Sequence, residues 1–348
     1  MSINIMPTVN CIHSVLLLAF AALVAKGLPM THFDVFNGDA DGICALHQLR
    51  LAKPVDAVLV TGVKRDISLL KRVKAQAGDR ISVLDISLDK NRDDLIRALD
   101  CGASVFYCDH HFAGAIPESK NLEAHIDTSA NTCTSLLVND YLDGAYLPWA
   151  VTAAFGDNLF DSARAAALPL NLSEAQLSQL ELLGTLINYN GYGVTPEDLH
   201  FHPADLYRAI SPYTDPFAFI AESPDYQQLA TGYEQDITQA RNLPVAVEEE
   251  HIAVVMLQDA PWTRRVSGVY GNELARQHPD RAHALLTVLP GGDYRISVRA
   301  PLNNKAGADE LCMMFPTGGG RKAAAGINAL PAAMYDAFID AFREKYEQ

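Results

Sequence analysis

From Met30 to about Asp157, short apolar runs alternate with polar segments in which apolar residues recur at a helical spacing. The apolar runs predict strands at residues 33–36, 57–60, 81–84 and 104–108. The polar segments predict helices at residues 43–51, 66–77, 89–99 and 134–142. Strands that alternate with helices are typical of a mostly parallel sheet with helices on both faces. An α/β fold is therefore predicted for the first part of the chain.

The pattern changes twice in the rest of the chain. Apolar residues at three- and four-residue spacing, notably through Leu186, predict a helical connector. Strands are then predicted at residues 251–257, 284–289 and 294–299. Gly291-Gly292-Asp293 predicts a hairpin turn between the last two. We predict a first domain at residues 30–160, a helical extension and linker at 161–244, and a second, smaller α/β domain at 245–348.

The first 29 residues are a separate case. Residues 14–25 are nearly all apolar, but a run of 12 is too short to span a bilayer unaided. A secretory signal carries basic residues ahead of its apolar stretch, and neither Lys nor Arg precedes Lys26. Met30 stands just ahead of the first predicted strand. We predict that residues 1–29 lie upstream of the functional start, outside the fold, and we expect no stable membrane association.

Charge and cysteine usage narrow the partners and the compartment. The net charge of −15 argues against long duplex nucleic acid, because such binding relies on a surplus of Lys and Arg. A small phosphorylated substrate, held by metals and a few basic groups, fits this balance better. The 6 cysteines show no CxxC spacing. Buried free thiols in a reducing compartment are therefore expected, and with them a cytoplasmic location.

Acidic residues and histidines follow several of the predicted strands. They are Asp39, Asp41, Asp85, Asp109, His110, His111 and, further along, Asp157. Ligands of parallel sheets collect at the carboxyl ends of the strands, so we expect these side chains to share one site. Carboxylate oxygen favours Mg²⁺ or Mn²⁺, and imidazole shifts the preference toward Mn²⁺. The sequence predicts a pocket for two divalent ions that would generate hydroxide at neutral pH.

These motifs resemble the DHH phosphoesterase superfamily, in particular its branch with a second, DHHA1-type domain. That branch contains nanoRNases, cyclic-dinucleotide phosphodiesterases and RecJ-type exonucleases. The matching motifs, in order, are Asp39-Ala40-Asp41-Gly42, Asp85, Asp109-His110-His111 and Asp157. The glycine-rich segment 318–326 resembles the signature of the second domain. The resemblance spans most of the chain from Met30 onward and implies a DHH catalytic core at 30–160 and a substrate-binding domain at 245–348.

The resemblance also implies a role for each matching residue. The implied metal ligands are Asp39, Asp41, Asp85, His110 and Asp157, with Asp85 as the bridge between two ions. The implied catalytic residues are Asp109, His110 and His111. Of these, His111 would contact the scissile phosphate and Asp109 would orient the histidines. The implied substrate-binding residues are Gly318, Gly319, Gly320, Arg321 and Lys322, with Arg299 as a further candidate.

Two positions depart from the pattern of the superfamily. Several members carry a metal-binding histidine at the position of Val35, so one metal site would be weaker here, with Asn37 or water in that coordination position. The glycine signature usually ends in histidine, whereas this chain has Arg321. An arginine suits a phosphate bidentately, so this change would alter the choice of substrate.

The predicted function is metal-dependent hydrolysis of short oligonucleotides or linear dinucleotides to mononucleotides. One alternative is hydrolysis of a phosphoanhydride, either pyrophosphate or polyphosphate, which would need no base recognition. A second is a nucleotide-binding regulator with weak catalysis, suggested by Val35 and Asn37. The sequence leaves open the choice between RNA and DNA, the cleavage polarity and whether the chain forms a homodimer.

Overall fold

A computed structural model describes residues 30–347 and contains two sheets. The strands of the first sheet are β1 (His32–Phe36), β2 (Val58–Val60), β3 (Arg80–Leu84), β4 (Ser104–Asp109) and β5 (Leu122–Ile126). They lie in the order β2-β1-β3-β4-β5, and all neighbours pair in parallel. Four of these strands match the predicted ones to within a residue or two at each end, and β5 was not predicted.

Helices cover both faces of this sheet, as the alternation predicts. They are α1 (Ala40–Ala52), α2 (Leu88–Asp100), α3 (Thr134–Tyr141) and α4 (Leu147–Gly156). Successive residues of a strand point to opposite faces. Phe36 therefore packs with α1 and α4, whereas Val35 packs in a second cluster with residues of α2 such as Leu95. Both faces of β1 are consequently buried.

The prediction of a helix at residues 66–77 is wrong. Only a short 3₁₀ turn forms there, at Leu70–Arg72. The backbone N–H of Leu70 donates to Asn91 Oδ1, and Asn91 Nδ2 donates to the carbonyl of Ile67. Because a side chain of α2 satisfies these backbone groups, the segment packs its apolar residues on the sheet without a helical ladder.

The connector is helical, as predicted. Its helices are α5 (Phe160–Ala167), α6 (Glu174–Gly191), α7 (Pro203–Ile210), α8 (Pro216–Glu222) and α9 (Pro224–Arg241). Ser173 starts α6 by accepting a hydrogen bond from the N–H of Gln176, whose side chain accepts from the N–H of Ser173. This reciprocal pair satisfies two backbone donors at the helix start.

The second sheet is mixed. Its strands are β6 (Val245–Glu248), β7 (Ile252–Leu257), β8 (Ala282–Val288), β9 (Tyr294–Arg299), β10 (Gly318–Arg321) and β11 (Ala324–Leu330). The order is β10-β11-β9-β8-β7-β6, and only β7 and β8 pair in parallel. Its helices are α10 (Pro261–Gln277), α11 (Ala308–Met313) and α12 (Tyr335–Tyr346). The predicted hairpin turn joins β8 to β9, with Gly291 and Gly292 at φ +107° and +94°.

The predicted fold class is confirmed: a parallel sheet with helices on both faces, a helical connector and a second α/β domain. The exact division at residues 160 and 244 stays a prediction. An apolar cluster joins the connector to the second sheet, with Tyr189 of α6 and Ile237 of α9 packed against Val266 of α10. Within residues 30–347, every helix is too short or too polar to cross a membrane. The prediction made for residues 1–29 lies outside the described residues.

Candidate metal centre

The predicted acids and histidines converge at the carboxyl ends of β1, β3 and β4. His110 Nε2 lies 3.5 Å from Asp85 Oδ1, 3.7 Å from Asp157 Oδ2 and 3.9 Å from Asp41 Oδ2. Asp41 and Asp85 are each only 1% exposed, so water cannot offset their charges. Residues from four separate parts of the chain therefore form one buried, acidic site.

The start of α1 and the start of α3 fix the two acids of the first motif. Asp39 precedes α1, and its Oδ1 accepts the N–H of Gly42 at 3.1 Å as an N-cap. Asp41 accepts the N–H groups of Thr134 and Ser135 at 2.8 and 2.7 Å, one on each carboxylate oxygen. These unpaired donors of a helix start favour a negative charge. Both carboxylates are thus held in place before any ligand binds.

Asp85 lies at the centre of the cluster and has a strained backbone. Its φ of +59° is in the left-handed region, which a residue with a side chain rarely adopts. Burial raises the pKa of its carboxyl well above the usual range, and the charges of Asp41 and Asp39 raise it further. Thr134 Oγ1 donates to Asp85 Oδ1 at 3.2 Å, but no cationic side chain within residues 30–347 pairs with this acid other than the histidines. The site therefore concentrates negative charge that a cation would offset.

His110 is oriented as a metal ligand would be. Its Nδ1 lies 3.1 Å from the carbonyl oxygen of Thr132. A carbonyl can only accept, so Nδ1 carries the proton and Nε2 has a free lone pair among the three acids. Fixing the tautomer through the second ring nitrogen is typical of metal-binding histidines.

His111 belongs to a pair with Asp109. Its Nδ1 donates to Asp109 Oδ1 at 2.7 Å, and Asp109 is fully buried. Burial alone would lower the pKa of His111, but the hydrogen bond and the charge of Asp109 outweigh it and leave that pKa raised. Asp109 thus orients His111 and stabilises its protonated form, whereas the predicted contact of His111 with a phosphate stays a prediction.

The donor set suits a divalent cation. Ligand atoms of Asp41, His110 and Asp157 lie within 4.8 Å of one another, and so do those of Asp85, His110 and His111. Carboxylate oxygen with imidazole nitrogen is a set that Mn²⁺ accepts, and Mg²⁺ less readily. In the second group, the His111 nitrogen that lies 3.8 Å from Asp85 Oδ1 is Nδ1, which already donates to Asp109. We therefore regard Asp41, His110 and Asp157, with the adjacent Asp85, as the better ligand set.

The departure at Val35 is visible in the structure. Its side chain is fully buried in the apolar cluster on the α2 face, so it offers no ligand. Asn37 donates from Nδ2 to the carbonyl of Lys64 at 3.3 Å. Its buried Oδ1 has no hydrogen-bond partner among residues 30–347. This oxygen is available as a neutral ligand, in keeping with the prediction for Asn37.

The motifs did not reveal Lys64. Its Nζ lies 2.6 Å from Asp39 Oδ2, 2.9 Å from Asn188 Oδ1 and 3.4 Å from Asp157 Oδ1. Burial alone would lower the pKa of Lys64, but the charges of Asp39 and Asp157 raise it well above the usual range. The charge of Lys64 likewise leaves the pKa of Asp39 lowered, although burial opposes this. The one available signal was position, because Lys64 follows shortly after the end of β2.

The predicted substrate-binding residues lie in the second sheet. Gly318, Gly319, Gly320 and Arg321 form β10, an edge strand that pairs with β11. A side chain built on Gly319 would meet nothing within 4 Å, so a ligand can approach the backbone there. Arg321 is exposed at the end of β10, and its positive charge opposes the rise in the pKa of His111. Lys322 is exposed in the turn after β10.

Arg299 connects to the acidic site through two intermediate residues, Asn272 and Asn158. Its Nε donates to Asn272 Oδ1 at 2.7 Å, and Asn272 Nδ2 donates to Asn158 Oδ1 at 2.9 Å. Asn158 follows the candidate ligand Asp157 directly. Arg299 is therefore placed to position the two domains against each other, which its sequence context did not reveal.

Several solved structures share this architecture, whereas no protein-family model and no curated protein matches the chain. A DHH domain from a member of the s1p family of ribosomal proteins is 13% identical over 90% of this chain and 86% of that chain, with a TM-score of 0.59. RecJ in complex with Mn²⁺ from Thermus thermophilus is 20% identical over 93% of this chain and 53% of that chain, with a TM-score of 0.56. PggH, a pGpG-specific phosphodiesterase from Vibrio cholerae, is 13% identical over 90% and 99%, with a TM-score of 0.52.

The chain has the two-domain fold of DHH proteins. The resemblance that its motifs predict is therefore confirmed at the level of the fold, including the second, mixed-sheet domain. At these identities, the likeness by itself extends no further than the fold.

Proposed function

We propose that this protein is a metal-dependent phosphodiesterase that hydrolyses short oligonucleotides or linear dinucleotides to mononucleotides. One observation carries the proposal: buried Asp41 and Asp85 form one acidic cluster with the partly buried Asp157 and His110 Nε2. Such a cluster is costly unless a cation binds, and a cation there would in turn attract a phosphate. The RecJ structure, which holds Mn²⁺, and the phosphodiesterase PggH share the fold and support this choice.

The residues in and around the cluster would have different roles in hydrolysis. Asp41, Asp85, His110 and Asp157 would hold Mn²⁺ or Mg²⁺, which when bound supplies Lewis-acid activation of a phosphoryl oxygen and of water. His111 would carry a proton for the leaving oxygen, because Asp109 stabilises its charged form. Arg321 and the open backbone at Gly319 would bind the far phosphate. A second ion, as the motifs predict, would need Asp39 and the position beside Lys64.

An exposed aromatic residue favours a nucleotide over pyrophosphate. Phe112, directly after His111, is 72% exposed. A ring in that position offers a flat apolar surface on which a base can stack, and a phosphoanhydride would make no use of it. Polyphosphate hydrolysis and a non-catalytic nucleotide-binding role remain the alternatives that an experiment must separate. We further propose action in the cytoplasm, in keeping with the free thiols of Cys44, Cys108, Cys133 and Cys312.

The test is a substrate panel. The Mn²⁺-loaded protein is incubated in parallel with a labelled linear dinucleotide, a short oligonucleotide, pyrophosphate and polyphosphate. We expect mononucleotides from the first two and little phosphate from the others. Phosphate release from pyrophosphate or polyphosphate alone would establish the phosphoanhydride alternative. Tight nucleotide binding without any product would establish the regulator.

A further inference from the structure

A lysine side chain lies inside the candidate metal centre. The three donors of the Lys64 ammonium group point to Asp39 Oδ2, Asn188 Oδ1 and Asp157 Oδ1, at 2.6, 2.9 and 3.4 Å. An ammonium group has three donors, so all of them are engaged. Its side chain is only 26% exposed. Lys64 therefore occupies a position where a divalent ion would find three oxygen ligands.

The backbone around Lys64 fixes this position. Its N–H donates to the carbonyl of Gly191 at 2.9 Å, and its own carbonyl accepts from Asn37 Nδ2 at 3.3 Å. The ammonium group also lies 5.8 Å from the ring centre of Tyr192, within range of a cation–π interaction. Contacts from two separate parts of the chain thus direct the side chain into the centre.

Asp39 differs from Asp41 in that a cationic side chain already pairs with one of its oxygens. Its Oδ1 accepts the N–H of Gly42 and its Oδ2 accepts the Lys64 ammonium. Among residues 30–347, it belongs to neither of the two groups whose ligand atoms lie within 4.8 Å of one another. The position of Val35 in β1, where the resemblance would place a histidine ligand, is apolar and buried. Compared with the ligand set that the resemblance implies, the part of the metal centre beside Asp39 therefore lacks one ligand and contains a fixed positive charge.

We propose that the Lys64 ammonium group replaces one of the two divalent ions, so that the centre binds a single ion at Asp41, Asp85, His110 and Asp157. This inference rests on the proposed metal-dependent function and changes the ion count that the motifs predict. The ammonium and a divalent ion would use the same oxygens and repel each other, so one excludes the other. Lys64 would also place a permanent positive charge beside the bound phosphate, where the second ion would have stood.

The test counts bound Mn²⁺ on the full chain, independently of activity. The metal-free protein is titrated with Mn²⁺ and assayed by elemental analysis after dialysis and by electron paramagnetic resonance. We expect one Mn²⁺ per chain, with the six-line spectrum of an isolated ion. Lys64→Ala should bind up to two Mn²⁺ per chain, with a spectrum broadened by coupling between neighbouring ions. Lys64→Arg, which keeps the charge, and Lys71→Ala, an exposed control, should both stay at one.

Each result decides the inference. Two coupled ions in the wild type would overturn it while leaving the proposed function intact. One ion in both the wild type and a folded Lys64→Ala variant would also overturn it, because Lys64 would then not be what excludes the second. A wild type that binds no Mn²⁺ would remove the proposed function as well. If Lys64→Ala does not fold, Lys64→Met, which keeps an unbranched side chain without the charge, takes its place: two Mn²⁺ per chain would support the inference and one would overturn it.

Discussion

In the proposed site, the two sheets of this protein would contribute opposite charges. The parallel sheet brings together acids, because the carboxyl ends of its strands meet at one edge and Asp39, Asp85 and Asp109 lie at or just after strand ends. The mixed sheet instead presents the hairpin of β10 and β11, with exposed Arg321 at the end of β10. As proposed, the first sheet would hold a cation and the second would hold a phosphate. Neither sheet would form the proposed site alone.

Polar contacts align the second α/β domain with the rest of the chain. We call this boundary the seam; α10 and Arg299 lie on one side of it, and Asn158 and the connector lie on the other. Arg264 of α10 donates two hydrogen bonds to Asp198, at 2.6 and 2.9 Å, and Arg265 pairs with Asp236 at 2.8 Å. The chain Asn158–Asn272–Arg299 crosses the seam beside the acidic site. Paired charges with fixed geometry define an orientation more than they add stability. The seam thus sets how the proposed phosphate-binding side faces the proposed metal-binding side.

The largest effect should come from removing a candidate metal ligand at the edge of the parallel sheet. His110→Ala and Asp157→Ala should each lower kcat by ~10³-fold, about 4 kcal/mol, because the ion would lose part of its ligand set. Steady-state hydrolysis of a labelled dinucleotide with Mn²⁺ measures this. His125→Ala, an exposed histidine paired with Glu123, is the matched control and should retain full activity. Full activity in both variants would show that His110 and Asp157 do not belong to the metal centre.

A smaller effect is expected from removing Arg321, the proposed phosphate-binding residue of the mixed sheet. Arg321→Ala should lower kcat/KM roughly 30-fold, about 2 kcal/mol, because a charge-assisted hydrogen bond to phosphate is lost. The loss should appear mainly in KM, and the affinity for Mn²⁺ should stay unchanged in a titration. Arg208→Ala, an exposed arginine of α7, is the control for the loss of a surface charge. An equal loss in both variants would remove Arg321 from the site.

The second α/β domain contains a buried histidine that should make stability depend on pH. Burial lowers the pKa of His283 in β8 to about 4, and the nearby His278 and Arg281 act in the same direction. The unfolded chain takes up this proton below its pKa of about 6.5, whereas the folded chain does not. The contribution of His283 to stability is therefore complete above about pH 6.5 and is lost as the pH falls toward 4.

His283→Leu isolates this contribution. The loss in the free energy of unfolding between pH 7.5 and pH 5 should be smaller in the variant by about 2 kcal/mol, at 1.36 kcal/mol for each of roughly 1.5 pH units. Urea denaturation at both pH values measures it. His47 in α1, whose pKa burial also lowers to about 4, remains in both proteins and cancels from the difference. An unchanged pH dependence would show that His283 does not titrate between these values.

The smallest effect should come from the seam. Asn272→Ala removes the link between Asn158 and Arg299, and should raise KM about fivefold, equal to about 1 kcal/mol for a lost hydrogen bond. The melting temperature and the Mn²⁺ stoichiometry should stay close to those of the wild type. Asn303→Ala, an exposed asparagine bonded to Asp280, serves as the control. If KM is unchanged in Asn272→Ala, the seam contact does not position the substrate.

Local patterns in the sequence predict much of the domain that contains the parallel sheet. The alternation of strands and helices predicts the sheet, and the strand ends place Asp39, Asp85 and Asp109 at one edge. The same reasoning fails at residues 66–77, where the spacing favours a helix but the side chain of Asn91 takes the backbone hydrogen bonds. A local pattern cannot report a competing partner from a distant helix. The glycine-rich segment was recognised as a phosphate-binding candidate, yet its strand pairing with β11 was not predicted.

The amino-acid sequence by itself determined the class of the fold and the chemical identity of the ligands. Those properties depend on periodicity and on short motifs, which are local. Only the tertiary structure decided which cations stand beside which acids. Lys64 reaches Asp39 across 25 positions and Asn188 across 124. Such contacts arise from how helices and loops pack over the sheet edge, because burial selects the faces that meet and local spacing does not encode them.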